Sequence, residues 1–312
     1  MEKRAFTCFF ALAIFFKFTC CYDTKKYPLI MPNVKQNKSE LYLCTSIRVR
    51  TIRNYYIIGF EPNTTMATHH MVVFGCTKPG SSKLVWECEQ MLNSNNKADT
   101  SSPCAKGAQV IYGWDKNAPK LNLPEGVGFK IGGYSPIQYI VLQVHYARVA
   151  DFKDGTTDNS GVFLHYTTQR MDKLAGVIAL TSNSYISTRK TKSTCLIRES
   201  KTIYPFAFKT HTYSHGTIVS GYVMKPNNDW IELGKRDPLK PQMFFPVPHK
   251  ILITYGDTLT VRCVTKSTHN GTTYIGNANQ DEMCYFFLMY YVDKGSLLKL
   301  KFCFSPSPPL DY

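Results

Sequence analysis

The segment "KTHTYSHGTIVSGY", residues 209–222, indicates the fold class of the chain. β-Branched residues and tyrosines stand at nearly every second position, as is typical of a β-strand bounded by glycines. Because successive side chains point to opposite faces of a strand, we expect His211, Tyr213 and His215 to share one face. Two imidazoles at alternate positions can converge on a metal ion, but the middle position here is a tyrosine. The segment therefore predicts a strand that carries a metal site, the remnant of one, or only polar side chains.

The same alternation recurs along the whole chain. Short strand-like segments such as "LYLCTSIRV", "HHMVVFGC", "YIVLQVHYA" and "CYFFLMYYV" are separated by turn-rich links such as "TKPGSSK". Few segments have the pattern of an amphipathic helix, and no internal repeat of solenoid length is present. With 312 residues, 44% of them hydrophobic, the chain can build two cores. We therefore expect an all-β fold of two antiparallel, jelly-roll-like β-sandwich domains, residues 29–171 and 172–312.

The first residues have the pattern of a secretory signal peptide. Lys3 and Arg4 precede an apolar run, residues 5–16, which is too short to cross a bilayer. We expect residues 1–21 to be the signal peptide and the mature chain to be secreted or to lie in the secretory-granule lumen, with no stable membrane anchor. The N-x-S/T sequons, which predict glycosylation during export, agree with this expectation. They are Asn37, Asn63 and Asn270.

Cysteine usage also indicates an oxidising compartment. The chain has 11 cysteines, and Cys8, Cys20 and Cys21 lie in or beside the signal peptide. The remaining cysteines are even in number and predict disulfides, although their connectivity does not follow from counting. They divide into one group before residue 105 and one after residue 194, as two separately cross-linked domains would require. The groups are Cys44, Cys76, Cys88 and Cys104, and Cys195, Cys263, Cys284 and Cys303.

The chain is basic, with a formal net charge of +15 and a pI of about 9.2. Its lysines and arginines are dispersed, and no nucleic-acid-binding motif is present. A solvated basic surface explains this composition, so we expect no nucleic acid partner. The G-x-S-x-G, H-E-x-x-H and P-loop motifs are absent from the sequence, which argues against the enzyme classes that depend on them.

Three histidines in the first half are candidate metal ligands. His69 and His70 are adjacent in "THHMVVFGC", and His145 lies within the apolar segment "VLQVHYA". Adjacent side chains on a strand point to opposite faces, so joint ligation by His69 and His70 requires a bulge or a bend. The alternative is that one histidine is buried and the other exposed, and that His145 is structural.

The second half offers His211 and a methionine, Met283, that directly precedes Cys284. A methionine in a β-rich core usually fills space. As a ligand, its thioether is soft and selects copper, in particular Cu(I), over zinc or magnesium. An imidazole site in one domain and an imidazole–thioether site in the other would suit copper redox chemistry.

Taken in order, these segments resemble the peptidylglycine α-hydroxylating monooxygenases of the copper type II, ascorbate-dependent family, with dopamine β-monooxygenase as a more distant relative. The resemblance runs from about Tyr42 to Cys303 and rests on "HHMVVFGC", "NAPKLNLPEGVGFKIGG", "YIVLQVHYA", "HTYSHGTIVSGY", "FFPVPH", "YGDTLTVRC" and "DEMCYFFLMYY". It implies two antiparallel β-sandwich domains that face each other across a solvent-filled cleft, with one copper on each.

The resemblance also assigns ligands and disulfides. It implies an electron-storing copper on His69, His70 and His145, with Tyr42 and a catalytic position, Gln143, nearby. It implies an oxygen-binding copper on His211, residue 213 and Met283. A fifth disulfide of the family is absent, because its downstream cysteine position is Asn159. The implied disulfides are Cys44–Cys88, Cys76–Cys104, Cys195–Cys303 and Cys263–Cys284.

The implied reaction hydroxylates the α-carbon of a peptide's C-terminal glycine with O₂ and two electrons from ascorbate. This is the first step of peptide amidation, so the resemblance also implies a separate amidating lyase for the second step. The family's peptide site maps onto Lys209, Tyr285, Phe287 and Met289. The first three differ from the family's arginine, asparagine and tyrosine, and Lys209 keeps the charge without arginine's bidentate geometry.

Tyr213 stands where the family places its second oxygen-site histidine. A neutral phenol is a poor ligand near pH 7, since its free pKa is about 10. Three outcomes are open: His215 replaces the missing imidazole, Tyr213 ligates weakly, or the second copper is poorly held and hydroxylation is lost. The sequence therefore supports two hypotheses, an active copper monooxygenase and a catalytically impaired homologue that binds copper at one site together with a peptide or protein ligand.

Overall fold

The computed structural model describes residues 23–35, 41–65, 68–88, 101–115, 117–146, 152, 155–182, 190–212, 216–240, 242–266 and 284–305. Within these residues the chain forms 21 β-strands and no helix, so none that could span a membrane. The all-β prediction is confirmed. The predicted signal peptide and the sequons at Asn37 and Asn270 lie outside the described residues.

The first half of the chain contains twelve strands. They are β1 Lys25–Ile30, β2 Leu41–Arg48, β3 Asn54–Asn63, β4 Thr68–Cys76, β5 Lys78–Pro79, β6 Val85–Glu87, β7 Cys104–Lys106, β8 Gln109–Asp115, β9 Leu121–Asn122, β10 Val127–Gly132, β11 Tyr139–Tyr146 and β12 Gly161–Thr167. One sheet has the order β6-β2-β11-β4-β8, and the strands β1-β12-β3-β10 form part of a larger second sheet. Apolar residues from both sheets, among them Ile57, Phe60, Val73 and Leu142, meet in one core. This packing makes the first sandwich.

The second half contains nine strands. They are β13 Lys173–Ser182, β14 Lys190–Leu196, β15 Tyr204–His211, β16 Gly216–Met224, β17 Trp230–Arg236, β18 Phe245–Pro246, β19 Thr258–Thr265, β20 Tyr285–Val292 and β21 Phe302–Ser305. The sheet β14-β19-β16-β17 packs on β13-β20-β15-β18, and β21 pairs with β13. Their core includes Leu180, Val219, Leu259 and Phe286. β12 ends at Thr167 and β13 begins at Lys173, on either side of the boundary expected from the sequence.

A parallel pairing of β10 with β13 joins the two sandwiches into one ten-stranded sheet. The segment "YFFLMYYV" of β20 is aromatic and aliphatic along its whole length, as is typical of a strand with both faces buried. Phe286, Leu288 and Tyr290 belong to the second core, whereas Phe287 and Met289 belong to the first. The inward face of the C-terminal sheet therefore packs directly against the N-terminal domain.

The four disulfides of the structure are those that the resemblance implies. Each joins two cysteines of the same half of the chain. Cα–Cα separations of 5.5–6.1 Å agree with ordinary disulfide geometry. The pairs are Cys44–Cys88, Cys76–Cys104, Cys195–Cys303 and Cys263–Cys284.

The segment 209–222 is not one strand, contrary to the simplest interpretation of its pattern. β15 ends at His211, and the chain next enters β16, in the opposite sheet, at Gly216. A Cβ atom at Gly216 would lie 2.3 Å from Oγ1 of Thr212, so only glycine fits beside this threonine. Residues 213–215, and with them Tyr213 and His215, lie outside the described residues.

A buried carboxylate ties the end of β3 to the start of β12. Asp158 accepts hydrogen bonds from the hydroxyls of Tyr146 and Thr65, both at 2.5 Å, and from the hydroxyl of Ser160 at 2.7 Å. Asn159, where the resemblance expects a fifth-bridge cysteine, lies inside this network and accepts a bond from the amide of Asn63 at 3.2 Å. Hydrogen bonds thus link the two strands in this region.

We expect the Asp158→Ala variant to lower the free energy of unfolding by about 3 kcal/mol, because it leaves several buried hydroxyls without their acceptor. Urea denaturation measures the change. The Asp172→Ala variant is the matched control: Asp172 pairs with Arg170 at 3.3 Å on an exposed surface, so its loss should cost at most about 1 kcal/mol. Equal destabilisation by the two variants would contradict a structural role for Asp158.

Candidate metal centre at the domain junction

Three histidines of the N-terminal sandwich converge at one end of the β4–β11 pair. His70 on β4 is the direct partner of His145 on β11, and their ring centroids are 4.6 Å apart. One ring nitrogen from each of His69, His70 and His145 lies within 4.8 Å of the other two. The structure therefore brings together the three histidines that the sequence suggests as one ligand set.

A β-bulge explains how two adjacent histidines reach the same site. His145 pairs with His70, but the next residue of β11, Tyr146, pairs with Thr68, so His69 is the extra residue of β4. A bulge turns its residues away from strict alternation, which is the condition for joint ligation by neighbours. The Nδ1 atoms of His69 and His70 are 3.2 Å apart as a result.

This arrangement fits a bound transition-metal ion. Imidazole nitrogens bind such ions at about 2.0 Å, so two of them at a tetrahedral angle lie about 3.3 Å apart. The 3.2 Å between the His69 and His70 Nδ1 atoms is compatible with that value, and it is equally the length of an N–H···N hydrogen bond between the two rings. A set of imidazoles suits copper or zinc and does not suit magnesium or calcium.

Burial keeps two of the three imidazoles neutral. Desolvation is the main cause that holds the pKa of His70 well below its usual range, and electrostatic repulsion from the nearby His145 is the second. Desolvation, with the nearby His69, lowers the pKa of His145 to about 3. A metal binds the neutral form of imidazole, so these two rings need no deprotonation at pH 7.

Tyr42 and Gln143 support the strand that carries His145. Tyr42 on β2 pairs with His145, and their rings stack with centroids 4.2 Å apart. Gln143 is fully buried two residues before His145, and its Nε2 contacts Sγ of Cys88 at 3.5 Å. Gln143 thus lies against the Cys44–Cys88 disulfide.

His211, the candidate ligand of the second half, lies beside this centre. Its ring centroid is 5.9 Å from that of His70. Its Nδ1 donates to Oε1 of Gln242 at 2.5 Å, and burial lowers its pKa. In the resulting neutral ring Nε2 carries the lone pair, as a metal ligand must. Met283 and Tyr213, the other implied ligands, lie outside the described residues.

The residues assigned to peptide binding share one face of β15 and β20. Lys209 pairs with Phe287 and His211 with Tyr285 in the register of the two strands. The rings of Tyr285 and Phe287 stack with centroids 5.6 Å apart. Met289 is fully buried and the other side chains nearly so. The structure therefore brings these residues together, but in a closed, packed region.

A residue that the sequence did not single out completes this region. Asp115, at the end of β8, is the pairing partner of His70 and forms an ion pair with Lys209 from the other domain. Its other carboxylate oxygen lies 3.7 Å from Nδ1 of His211. The signal available in the sequence was its position, since it is the charged residue that ends the apolar strand "QVIYGWD".

Both halves of the chain match one family. Residues 27–153 match "Copper type II ascorbate-dependent monooxygenase, N-terminal domain", and residues 173–312 match the corresponding C-terminal domain. Peptidyl-glycine alpha-amidating monooxygenase A of Xenopus laevis is 35% identical over 89% of this chain and 29% of its own length.

Two further relatives show how wide the similarity is. The peptidylglycine alpha-amidating monooxygenase of Rattus norvegicus is 36% identical over 88% of this chain and 27% of its own length. Dopamine beta-hydroxylase of Canis lupus familiaris is 26% identical over 86% of this chain and 46% of its own length. The chain thus spans less than half the length of these relatives.

Proposed function

Because this chain belongs to the copper type II, ascorbate-dependent monooxygenase family, we propose that it hydroxylates the α-carbon of a C-terminal glycine in peptides. The observation that carries the proposal is the cluster of His69, His70 and His145 next to a buried cation, Lys209. The similarity to amidating monooxygenases supports the choice of substrate. We propose secretion or storage in a granule lumen on the basis of the N-terminal pattern and the disulfides.

The proposed roles follow from the positions of the side chains. His69, His70 and His145 hold one copper. Of the ligands proposed for a second copper, His211 is the one that lies within the residues that the structure describes. Copper, once bound, supplies the one-electron chemistry and the activation of O₂, with ascorbate as the electron donor. Lys209 attracts the peptide carboxylate, while Tyr285, Phe287 and Met289 form the apolar surroundings. Gln143, which the resemblance makes catalytic, is proposed to position the strand of His145.

The proposed product requires a partner enzyme. Hydroxylation of a C-terminal glycine gives an α-hydroxyglycine peptide, which a separate amidating lyase would cleave. The proposed macromolecular partners are therefore peptides and this lyase, with no nucleic acid.

A second candidate function is favoured by Tyr213. With a tyrosine where the family has a histidine, the chain is alternatively a catalytically impaired homologue that holds copper at the three-histidine site. It would then bind a peptide or protein ligand without turning it over. The closed packing around Lys209 is compatible with this alternative.

Oxygen uptake distinguishes the two functions. The full chain is supplied with copper, ascorbate and an N-acylated peptide that ends in glycine. The proposed function predicts ascorbate-dependent oxygen uptake and formation of an α-hydroxyglycine product. A copper chelator should abolish both. The same peptide ending in alanine is the control, for which we expect little product. Bound copper without product from the glycine peptide would favour the impaired homologue.

A further inference from the structure

Lys209 is a cation enclosed at the junction of the two domains. Its side chain is 3% exposed, on the face of β15 that is turned toward the N-terminal sandwich. The ammonium lies 5.9 Å from the ring centroid of Phe287, and a Cβ at Gly113 would lie 3.8 Å from its Cε. A buried ammonium in apolar surroundings needs a counterion, because desolvation penalises an unpaired charge heavily.

Among the residues that the structure describes, Asp115 provides this counterion. Its carboxylate contacts the Lys209 ammonium directly, and its side chain is 12% exposed. Nδ1 of His211 lies farther from the same carboxylate, at 3.7 Å, and donates its hydrogen bond to Gln242. The charge of Asp115 is therefore balanced by Lys209.

The space around this pair is too small for a ligand. The cavity lined by His70, Asp115, Lys209, His211 and Phe287 has a volume of about 20 Å³. A single water needs about 10–15 Å³ of such volume, so the cavity holds no more than one or two waters. A C-terminal glycine cannot reach the ammonium while the pair is closed.

We propose that Asp115 is a specificity-determining residue: its carboxylate occupies the position on Lys209 that a ligand carboxylate would take. A carboxylate ligand therefore binds only by exchanging with Asp115. The class of ligand, an N-acylglycine, rests on the proposed function. The competition between the two carboxylates is inferred from the contact between Asp115 and Lys209. Two carboxylates against one enclosed ammonium would leave an excess negative charge, which makes binding exclusive.

The position of Asp115 suits such an exchange. It ends β8, and within a few residues the chain turns through Asn117, which has a positive φ of 64°. The backbone N–H of Ala118 donates to the Asp115 carbonyl at 3.0 Å, which closes this turn. The side chain can therefore leave Lys209 by rotation at a strand end without breaking the ladder of β8.

The test compares binding of benzoylglycine with binding of benzoylglycinamide, which lacks the carboxylate. The full chain is used with copper and without ascorbate, so that turnover does not intervene. We expect the Asp115→Asn variant to bind benzoylglycine at least about tenfold more tightly, since Lys209 gains a charge-assisted hydrogen bond without losing one. Binding of the amide should change by less than twofold.

Two variants control for charge and folding. Glu61→Gln changes the net charge equally at a distant ion pair, Lys26–Glu61 at 2.8 Å, and should leave both affinities unchanged. The double variant Asp115→Leu/Lys209→Met replaces the pair by apolar groups, which a core usually tolerates. It should bind the acid and the amide equally.

Three outcomes would overturn the proposal. They are unchanged affinity for benzoylglycine in Asp115→Asn, an equal gain for the amide, and a retained preference for the acid in the double variant. If Asp115→Asn does not fold, Asp115→Ser, which also removes the carboxylate and keeps a small polar side chain, is measured in its place with the same expectations. These results concern binding, so absence of oxygen uptake in the activity assay would count against the proposed function without touching the competition.

Discussion

The His145→Ala variant is expected to lose copper from the three-histidine site, with an affinity at least about 100-fold lower than that of the wild type. His145 is the ligand of β11, whereas His69 and His70 both come from β4. Its loss leaves two imidazoles and removes the ring that stacks on Tyr42. We also expect ascorbate-dependent oxygen uptake to disappear, because the copper proposed for this site would be missing.

Competition with a chelator of known copper affinity measures this loss. His165→Ala provides the matched control, because His165 pairs with Glu61 at 2.7 Å on β12, away from the cluster. That variant should keep the wild-type copper content and affinity. Wild-type affinity in His145→Ala would show that the three rings are a structural cluster and would contradict the metal assignment.

The Tyr213→His variant is expected to hold its second copper more tightly than the wild type and to raise hydroxylation at least about tenfold. His211 ends β15 with a neutral ring, and the variant restores the imidazole that the family has two residues later. Imidazole binds both copper oxidation states near pH 7, whereas a phenol with a free pKa of about 10 is a weak ligand. An increase in copper binding and activity would therefore be due to the new imidazole ligand and not to a change in the rest of the fold.

Copper per chain and the rate of α-hydroxyglycine formation are the two readouts for Tyr213→His. Tyr213→Phe is the matched control, since it removes the hydroxyl without adding a ligand, and it should gain neither copper nor activity. A wild-type protein that already holds two coppers, with no increase in the histidine variant, would contradict the account of Tyr213. It would indicate that His215 or Tyr213 itself completes the site.

Much of the N-terminal site could be predicted from local patterns. Apolar alternation in "HHMVVFGC" and "YIVLQVHYA" placed His69, His70 and His145 on strands. Adjacent ligands on a strand require a bulge, and the structure has one at His69. What the pattern could not give was the register between β4 and β11, because strand pairing is a contact between distant residues.

The domain junction was less accessible from the sequence. Nothing local indicates that β10 pairs in parallel with β13, or that Asp115 meets Lys209. The available signal was that each is a charged residue in an apolar strand, which predicts a buried partner without identifying it. The segment 209–222 misled for a similar reason, since an alternating pattern does not reveal that the chain changes sheets between His211 and Gly216.

X-ray absorption at the copper edge, on the wild-type protein reduced and loaded with one equivalent of copper, tests the central claim most directly. We expect a shell of about three imidazole nitrogens near 2.0 Å, which is lost in His145→Ala and kept in His165→Ala. A first shell dominated by sulfur, or an imidazole shell that survives the loss of His145, would contradict this claim.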